Sequence, residues 1–125
     1  MSEYHYIFIH PGQPEQRLIS DISFACGVAL RAADSEFIDY SAHVGHAAVE
    51  VELSHEYEED IGVPFEKYDS LLSIRDLASD LTRQESLART IFRNLASLER
   101  YSLVLVLDLQ VLLDSASPRQ GTDSG

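Results

Sequence analysis

The sequence predicts an α+β fold in which two helices pack on one face of a mostly antiparallel sheet of four to six strands. Three observations lead to this prediction. Short segments with alternating hydrophobicity are interspersed with two segments whose apolar residues recur every three or four positions. Near the C-terminus, the apolar run Leu103–Leu107 fits a strand buried on both faces. The predicted order is β-α-β-β-(β)-α-β-(β), where the brackets mark short apolar segments.

The first half of the chain is predicted to hold a strand, a helix and a hairpin. Tyr4–His10 alternates aromatic and aliphatic side chains and stops at a Pro-Gly pair, as a strand entering a turn does. Pro14–Leu30 is predicted as an amphipathic helix, because proline suits a first helical turn and apolar residues follow at helical spacing. Phe37–Val44 and Ala47–Ser54 are rich in strand formers and flank Gly45, which indicates a hairpin. The second of these strands alternates apolar and acidic residues, so one of its faces is expected to be solvated and negative.

The second half begins with a long segment that has no clean period. His55–Asp69 contains glycine and proline and is predicted as an ordered surface loop. A short strand is expected at Leu71–Ile74, and Thr82 with Glu85 fits a capping box at the start of the second helix. Beyond the closing strand, Leu109–Leu113 fits either another short strand or a helical turn.

Composition limits the classes of function. The chain has 125 residues, 45% of them hydrophobic, which indicates one globular domain over residues 1–114 and a polar, disordered tail over residues 115–125. A formal net charge of −12 argues against direct binding of nucleic acid or of an anionic membrane surface. With no signal-like start and no apolar run of membrane-spanning length, the protein is expected to be cytoplasmic.

No catalytic or cofactor motif stands out. Cys26 is the sole cysteine, and it lies on the apolar stripe of the first predicted helix, where a thiol usually packs as a small hydrophobic group. No nucleophile elbow or phosphate-binding glycine loop is present. We therefore expect a protein that is not an enzyme and has no cofactor.

Acidic residues are concentrated in one segment of the chain. Residues 34–69 hold eleven acidic residues and one basic residue, Lys67, and aromatic and aliphatic residues are interleaved with the acids. Aromatic anchors within charged surroundings are typical of tight protein interfaces. We predict a partner-binding surface on the loop 55–69 and the adjoining acidic face of the hairpin, with the acids steering a basic partner and the aromatic residues anchoring it. The predicted contact residues are Glu50, Glu52, Glu56, Tyr57, Glu58, Glu59, Asp60, Phe65, Glu66, Tyr68 and Asp69.

Three other interpretations of this region remain open at the level of sequence. The acids form an ordinary solvated surface, or an acidic adaptor face that meets another subunit permanently. Alternatively His43, His46 and His55, with neighbouring glutamates, bind a metal ion in a small metalloprotein or enzyme. The spacing weakens the metal hypothesis, since positions three apart on a strand point to opposite faces.

The chain also resembles a known class of proteins. Its acidity and small size, the stretch Ser73–Asp76, the helix pattern Gln84-x-x-x-Ala88-Arg89-x-Ile91-Phe92 and the closing strand Leu103–Gln110 are similar to the small immunity proteins of bacterial polymorphic toxin systems. The likeness spans Tyr4 to Leu113. It implies a cytoplasmic protein without enzymatic activity, a monomer or homodimer, that binds and neutralises one cognate toxin domain. Toxins that act on nucleic acid tend to be basic, which agrees with an acidic binding surface.

Overall fold

A computed structural model of the protein describes residues 3–118. It contains two helices and one antiparallel sheet of seven strands, in the order β2-β3-β4-β5-β1-β6-β7. The predicted α+β class is confirmed. The elements are β1 (His5–His10), α1 (Glu15–Cys26), β2 (Arg31–Ala32), β3 (Tyr40–Val44), β4 (Ala47–Glu52), β5 (Ser70–Asp76), α2 (Leu81–Ala96), β6 (Ser102–Leu107) and β7 (Val111–Ala116), with a 3₁₀ turn at Phe65–Lys67.

The central strand β1 separates two hydrophobic clusters because its side chains alternate between the two faces of the sheet. Ile7 and Ile9 point to the face that α1 and α2 cover, where the larger cluster includes Leu18, Ile22 and Ile91. Phe8 points to the opposite face and belongs to a second cluster, which also includes Val63, Phe65, Leu71, Val104 and Val106. The helices therefore cover one face of the sheet, and another part of the chain must cover the second.

Both helices differ from their predicted boundaries. α1 ends at Cys26 rather than near Leu30, because Gly27 adopts the left-handed conformation (φ 78°) and its N–H bonds back to the carbonyls of Ser23 and Phe24. α2 does not use the predicted Thr82 capping box. The carboxylate of Asp80 accepts a hydrogen bond from the N–H of Arg83 instead, which places the N-cap two residues earlier.

The sheet is larger than predicted at both edges. The two-residue strand β2, which the sequence did not predict, pairs with β3. At the other edge, Leu109–Leu113 resolves in favour of a strand, β7, that runs to Ala116. Ser115 and Ala116 therefore belong to the sheet, and the predicted tail starts too early; its residues 119–125 lie outside the described part of the chain.

Polar contacts join α1 to the segment between α2 and β6. The Asp21 carboxylate on α1 accepts hydrogen bonds from Arg100 at 3.0 Å and from the Tyr101 hydroxyl at 2.6 Å.

On α1, Cys26 is buried, and this burial raises the pKa of its thiol to about 12. Within residues 3–118, no helix is both long enough and apolar enough to cross a membrane.

Candidate protein-binding surface

The loop of residues 53–69 covers part of the sheet face opposite the helices, and hydrogen bonds fix both of its ends. The Ser70 hydroxyl donates to the Leu53 carbonyl at 3.0 Å. The Asp69 carboxylate accepts the Gly12 N–H at 2.8 Å and lies 3.2 Å from Nδ1 of His10. The loop is thereby attached to β5 and to the turn after β1, as expected for an ordered segment.

Phe65 is not an interface anchor. Its side chain is fully buried, and its ring lies 4.3 Å from that of Phe8 on β1. Val63 is 6% exposed and belongs to the same cluster, together with Val104 and Val106 on β6. The prediction that Phe65 contacts a partner is wrong, since the sheet needs an apolar cover on this face and Phe65 supplies it. This cover also explains why β6 is buried on both faces.

A row of aromatic side chains runs along β1 on the same face of the sheet. The rings of Tyr4 and Tyr6 are stacked with centroids 5.8 Å apart, and Tyr6 lies 6.3 Å from Phe8. Tyr57 from the loop lies across this row, 6.4 Å from Tyr6 and 6.0 Å from Phe8. Its ring has aromatic support on one side and is 37% exposed. Such a ring is held in place at little entropic cost while remaining available for contact.

Two open concavities adjoin Tyr57, one on each side of residues 54–57. Their volumes are about 750 and 550 Å³. The first lies between the two ends of the loop and also contacts Gln13. The second lies between residues 54–57 and the segment before β3, where Phe37 is 72% exposed. The two concavities share residues 54–57 and are together called the groove, which is lined by Gln13, Glu36, Phe37, Asp39, Glu52, Leu53, Ser54, His55, Glu56, Tyr57, Glu58, Glu66, Tyr68 and Asp69.

The groove is strongly negative. Seven of its lining residues are acidic, and among the described residues no lysine or arginine lines it. At Glu52, partial burial raises the pKa of the carboxyl above its usual value, and the charges of Asp39 and Glu50 raise it further. Burial and the nearby Glu52 charge also raise the pKa of Tyr57. The Glu52 carboxylate is thus close to groups of its own charge, a state that a cationic group from a partner relieves.

The predicted contact residues fall into three groups. Glu52, Glu56, Tyr57, Glu58, Glu66, Tyr68 and Asp69 all line the groove. Glu50 lies on the same sheet face as Glu52 but outside the groove, opposite Ser73 of β5. Glu59 and Asp60 lie at the exposed tip of the loop, where their carboxylates accept the N–H groups of Gly62 and Ile61. A tight turn closed by paired backbone bonds between Asp60 and Val63 holds this tip.

The sequence interpretation missed three groove residues that precede β3. Glu36 and Asp39 belong to the acidic segment but are not among the predicted contact residues, and the exposed Phe37 lies at the start of a predicted strand that begins only at Tyr40. Asp39 is held beside the end of β4, since its carboxylate accepts the Leu53 N–H at 2.8 Å and its own N–H bonds to the Val51 carbonyl. The signal in the sequence was weak, because residues 36–39 become neighbours of 52–57 only through β3–β4 pairing.

The three histidines of the metal hypothesis are not assembled. His43 and His46 lie at the turn between β3 and β4, whereas His55 follows the opposite end of β4. Nδ1 of His55 accepts the Tyr57 N–H at 3.0 Å, so its Nε2 carries the proton and donates to the Tyr68 carbonyl at 2.6 Å. Over residues 3–118, no group of three or more His, Cys, Asp or Glu side chains is placed to hold a metal ion.

Gly12 allows the close approach that fixes the loop end. A Cβ at this position would lie 2.5 Å from the Ser70 hydroxyl oxygen and 3.0 Å from Cβ of Asp69. We expect Gly12→Ala to lower the free energy of unfolding by about 1–3 kcal/mol, because the crowded contact must move apart. Urea denaturation measures the loss of free energy of unfolding. Gly45→Ala is not a suitable control, because the positive φ of Gly45 strains any other residue at that position. The exposed substitution Gln13→Ala serves as the control, and equal stability of the two variants would contradict the prediction.

Comparison with known proteins finds no protein-family profile, curated protein or solved structure that matches this chain. The likeness to immunity proteins therefore depends on the sequence features alone.

Proposed function

We propose that this protein is an inhibitor of the immunity type, without enzymatic activity, which binds and neutralises a basic toxin domain through the acidic groove and Tyr57. The observation that carries this proposal is the composition of the groove: seven acidic residues, exposed aromatic rings and no lysine or arginine among the described residues. A surface of this charge attracts a basic protein and repels acidic ones.

The groove also has the two components that a tight interface needs. Phe37 and Tyr57 offer exposed rings within it, and aromatic side chains of this kind dominate the binding energy of many interfaces. Acids surround them and set the association rate and the choice of partner. A basic domain that normally holds a phosphate backbone presents complementary charge, so occupation of its substrate site by this surface blocks substrate binding.

The proposal is tested by capturing the partner and measuring its neutralisation. The protein is immobilised, exposed to a nuclease-treated lysate of the source cell, and washed at low and then high salt. We expect one basic protein in stoichiometric amount, retained at low salt, whose toxicity in a host cell is suppressed by co-expression of this chain. A captured protein whose activity is unchanged by saturating amounts of this chain would contradict inhibition and favour a structural subunit.

Charge reversal in the groove is expected to slow association. Glu56 is exposed and lines both concavities, so Glu56→Lys should lower the association rate constant for the basic partner several-fold at low salt. The difference should shrink as ionic strength rises, because salt screens exposed charges over about 8 Å at physiological ionic strength. Stopped-flow association kinetics at several salt concentrations measure both effects.

The matched control is Asp114→Lys, which makes the same change of net charge at an exposed position on the opposite sheet edge. It should retain nearly the wild-type association rate. If both reversals slow association equally, net charge and not the groove determines the rate.

A further inference from the structure

His5 is a buried titratable residue that the proposed function does not use. It lies on β1 beneath α2, is 1% exposed, and stands opposite Ile74 of β5 and Leu107 of β6. Its Nδ1 is 2.8 Å from the side-chain nitrogen of Gln84. Its Nε2 is buried and has no hydrogen-bond partner among the described residues. Buried polar atoms without a partner are rare and costly, and this one sets His5 apart from the other described polar side chains of the core.

Two backbone groups fix the orientation of the Gln84 side-chain amide. Its oxygen accepts the Asp76 N–H at 2.7 Å, and its nitrogen donates to the Glu3 carbonyl at 2.9 Å. The second hydrogen of the amide nitrogen therefore points at His5, and Nδ1 of His5 must accept it. The ring is neutral in this arrangement and carries its hydrogen on Nε2.

A proton on Nδ1 is incompatible with this network. It would place two donors 2.8 Å apart, between His5 and Gln84. Reversal of the amide relieves that conflict, but it directs the amide nitrogen at the Asp76 N–H and the amide oxygen at the Glu3 carbonyl, and both backbone bonds are lost. We propose that His5 and Gln84 form an acid-sensitive latch, in which protonation of His5 releases the start of β1 from the junction between β5 and α2.

The charged groups around His5 do not offset a positive ring. On α2, Glu85 and Arg89 act on His5 in opposite directions and are paired with each other at 2.7 Å. At the end of β5, the Asp76 carboxylate is occupied by Arg83, which donates to it at 2.7 and 3.1 Å. β6 contributes the apolar Leu107 opposite His5. Burial is consequently the main influence, and it lowers the pKa of His5 below the ordinary 6.5.

The direction of the pH effect follows from proton binding. The unfolded chain takes up a proton at His5 near pH 6.5, whereas the folded protein takes it up only at lower pH. The free energy of unfolding is therefore unaffected by His5 well above pH 6.5 and declines as the pH falls below it. One excess proton in the unfolded state lowers the folding equilibrium constant by up to about tenfold between pH 7.5 and 5.5. Urea unfolding of the full chain at pH 7.5, 6.5 and 5.5 measures this decline.

Three chains are compared in this experiment: wild type, His5→Gln and His43→Gln. His43 is exposed on β3, so His43→Gln should show the same decline in the folding equilibrium constant as the wild type. In His5→Gln the decline between pH 7.5 and 5.5 should be smaller by a factor of up to about ten. An equal decline in His5→Gln and wild type would overturn the proposal.

If His5→Gln does not fold, NMR titration of the wild type decides the question. The His5 ring should remain neutral at pH 6.5 and protonate only at lower pH, and the Gln84 side-chain amide signals should change only when His5 titrates. Protonation of His5 near pH 6.5 with unchanged Gln84 signals would overturn the latch.

Discussion

Phe65→Ala is expected to lower the free energy of unfolding by about 3–5 kcal/mol, the usual cost of deleting a buried phenylalanine. The ring is fully buried against Phe8, and it holds the loop 53–69 over the second face of the sheet. Its removal opens a cavity and uncovers apolar side chains of β6. Urea denaturation followed by circular dichroism measures the loss.

Phe37→Ala is the matched control, since it deletes the same ring at a position that is 72% exposed. Exposed substitutions usually change stability by about 0.5 kcal/mol or less. If the two variants have the same stability, Phe65 does not hold the loop. The comparison also separates folding from binding, because Phe65→Ala should weaken partner binding only as far as it disorders the groove.

Tyr57→Ala is expected to cost about 2 kcal/mol or more of binding free energy, a loss of roughly thirtyfold in affinity for the basic partner. The ring is exposed on one side, supported by Tyr6 and Phe8 on the other, and lies between the two concavities. The loss should appear mainly as faster dissociation, since short-range contacts determine how long a complex lasts. Surface plasmon resonance with the captured partner measures both rates.

Tyr57→Phe tests which part of the side chain matters. It keeps the ring and its packing, so it should retain most of the affinity if the ring is the anchor. Urea denaturation of Tyr57→Ala provides the folding control. Wild-type affinity in a folded Tyr57→Ala protein would mean that the partner binds elsewhere on the chain.

Much of the fold could be predicted because local patterns are strong where one face of an element is buried. The alternation of valine and glutamate in β4 gives a strand with one apolar face, and the structure has that register. The helical spacing of Leu18, Ile22 and Ala25 predicted a helix with one apolar face, and that face of α1 is buried in the core. The boundaries were less accurate, because Gly27 and Asp80 act through backbone geometry that hydrophobic patterns do not record.

The acidic groove could be predicted only in part. Most of its acids come from the loop and the hairpin, which are adjacent in sequence, so the negative charge of this surface could be predicted without the fold. The sequence did not show which aromatic residues are buried and which are exposed. Phe65 and Tyr57 have similar sequence surroundings, yet one ring faces Phe8 in the interior and the other is partly exposed.

The α+β class, the two amphipathic helices and the concentration of negative charge in residues 34–69 can be inferred from local patterns of residues. Three features depend on the folded chain: the apolar residues that cover the second sheet face, the set of acids that share the groove, and the burial of His5 against Gln84. Periodicity and charge are local properties of a chain, whereas these features are not. Contacts such as those of Phe65 with Phe8, Asp39 with Leu53, and His5 with Gln84 form only when distant segments pack together.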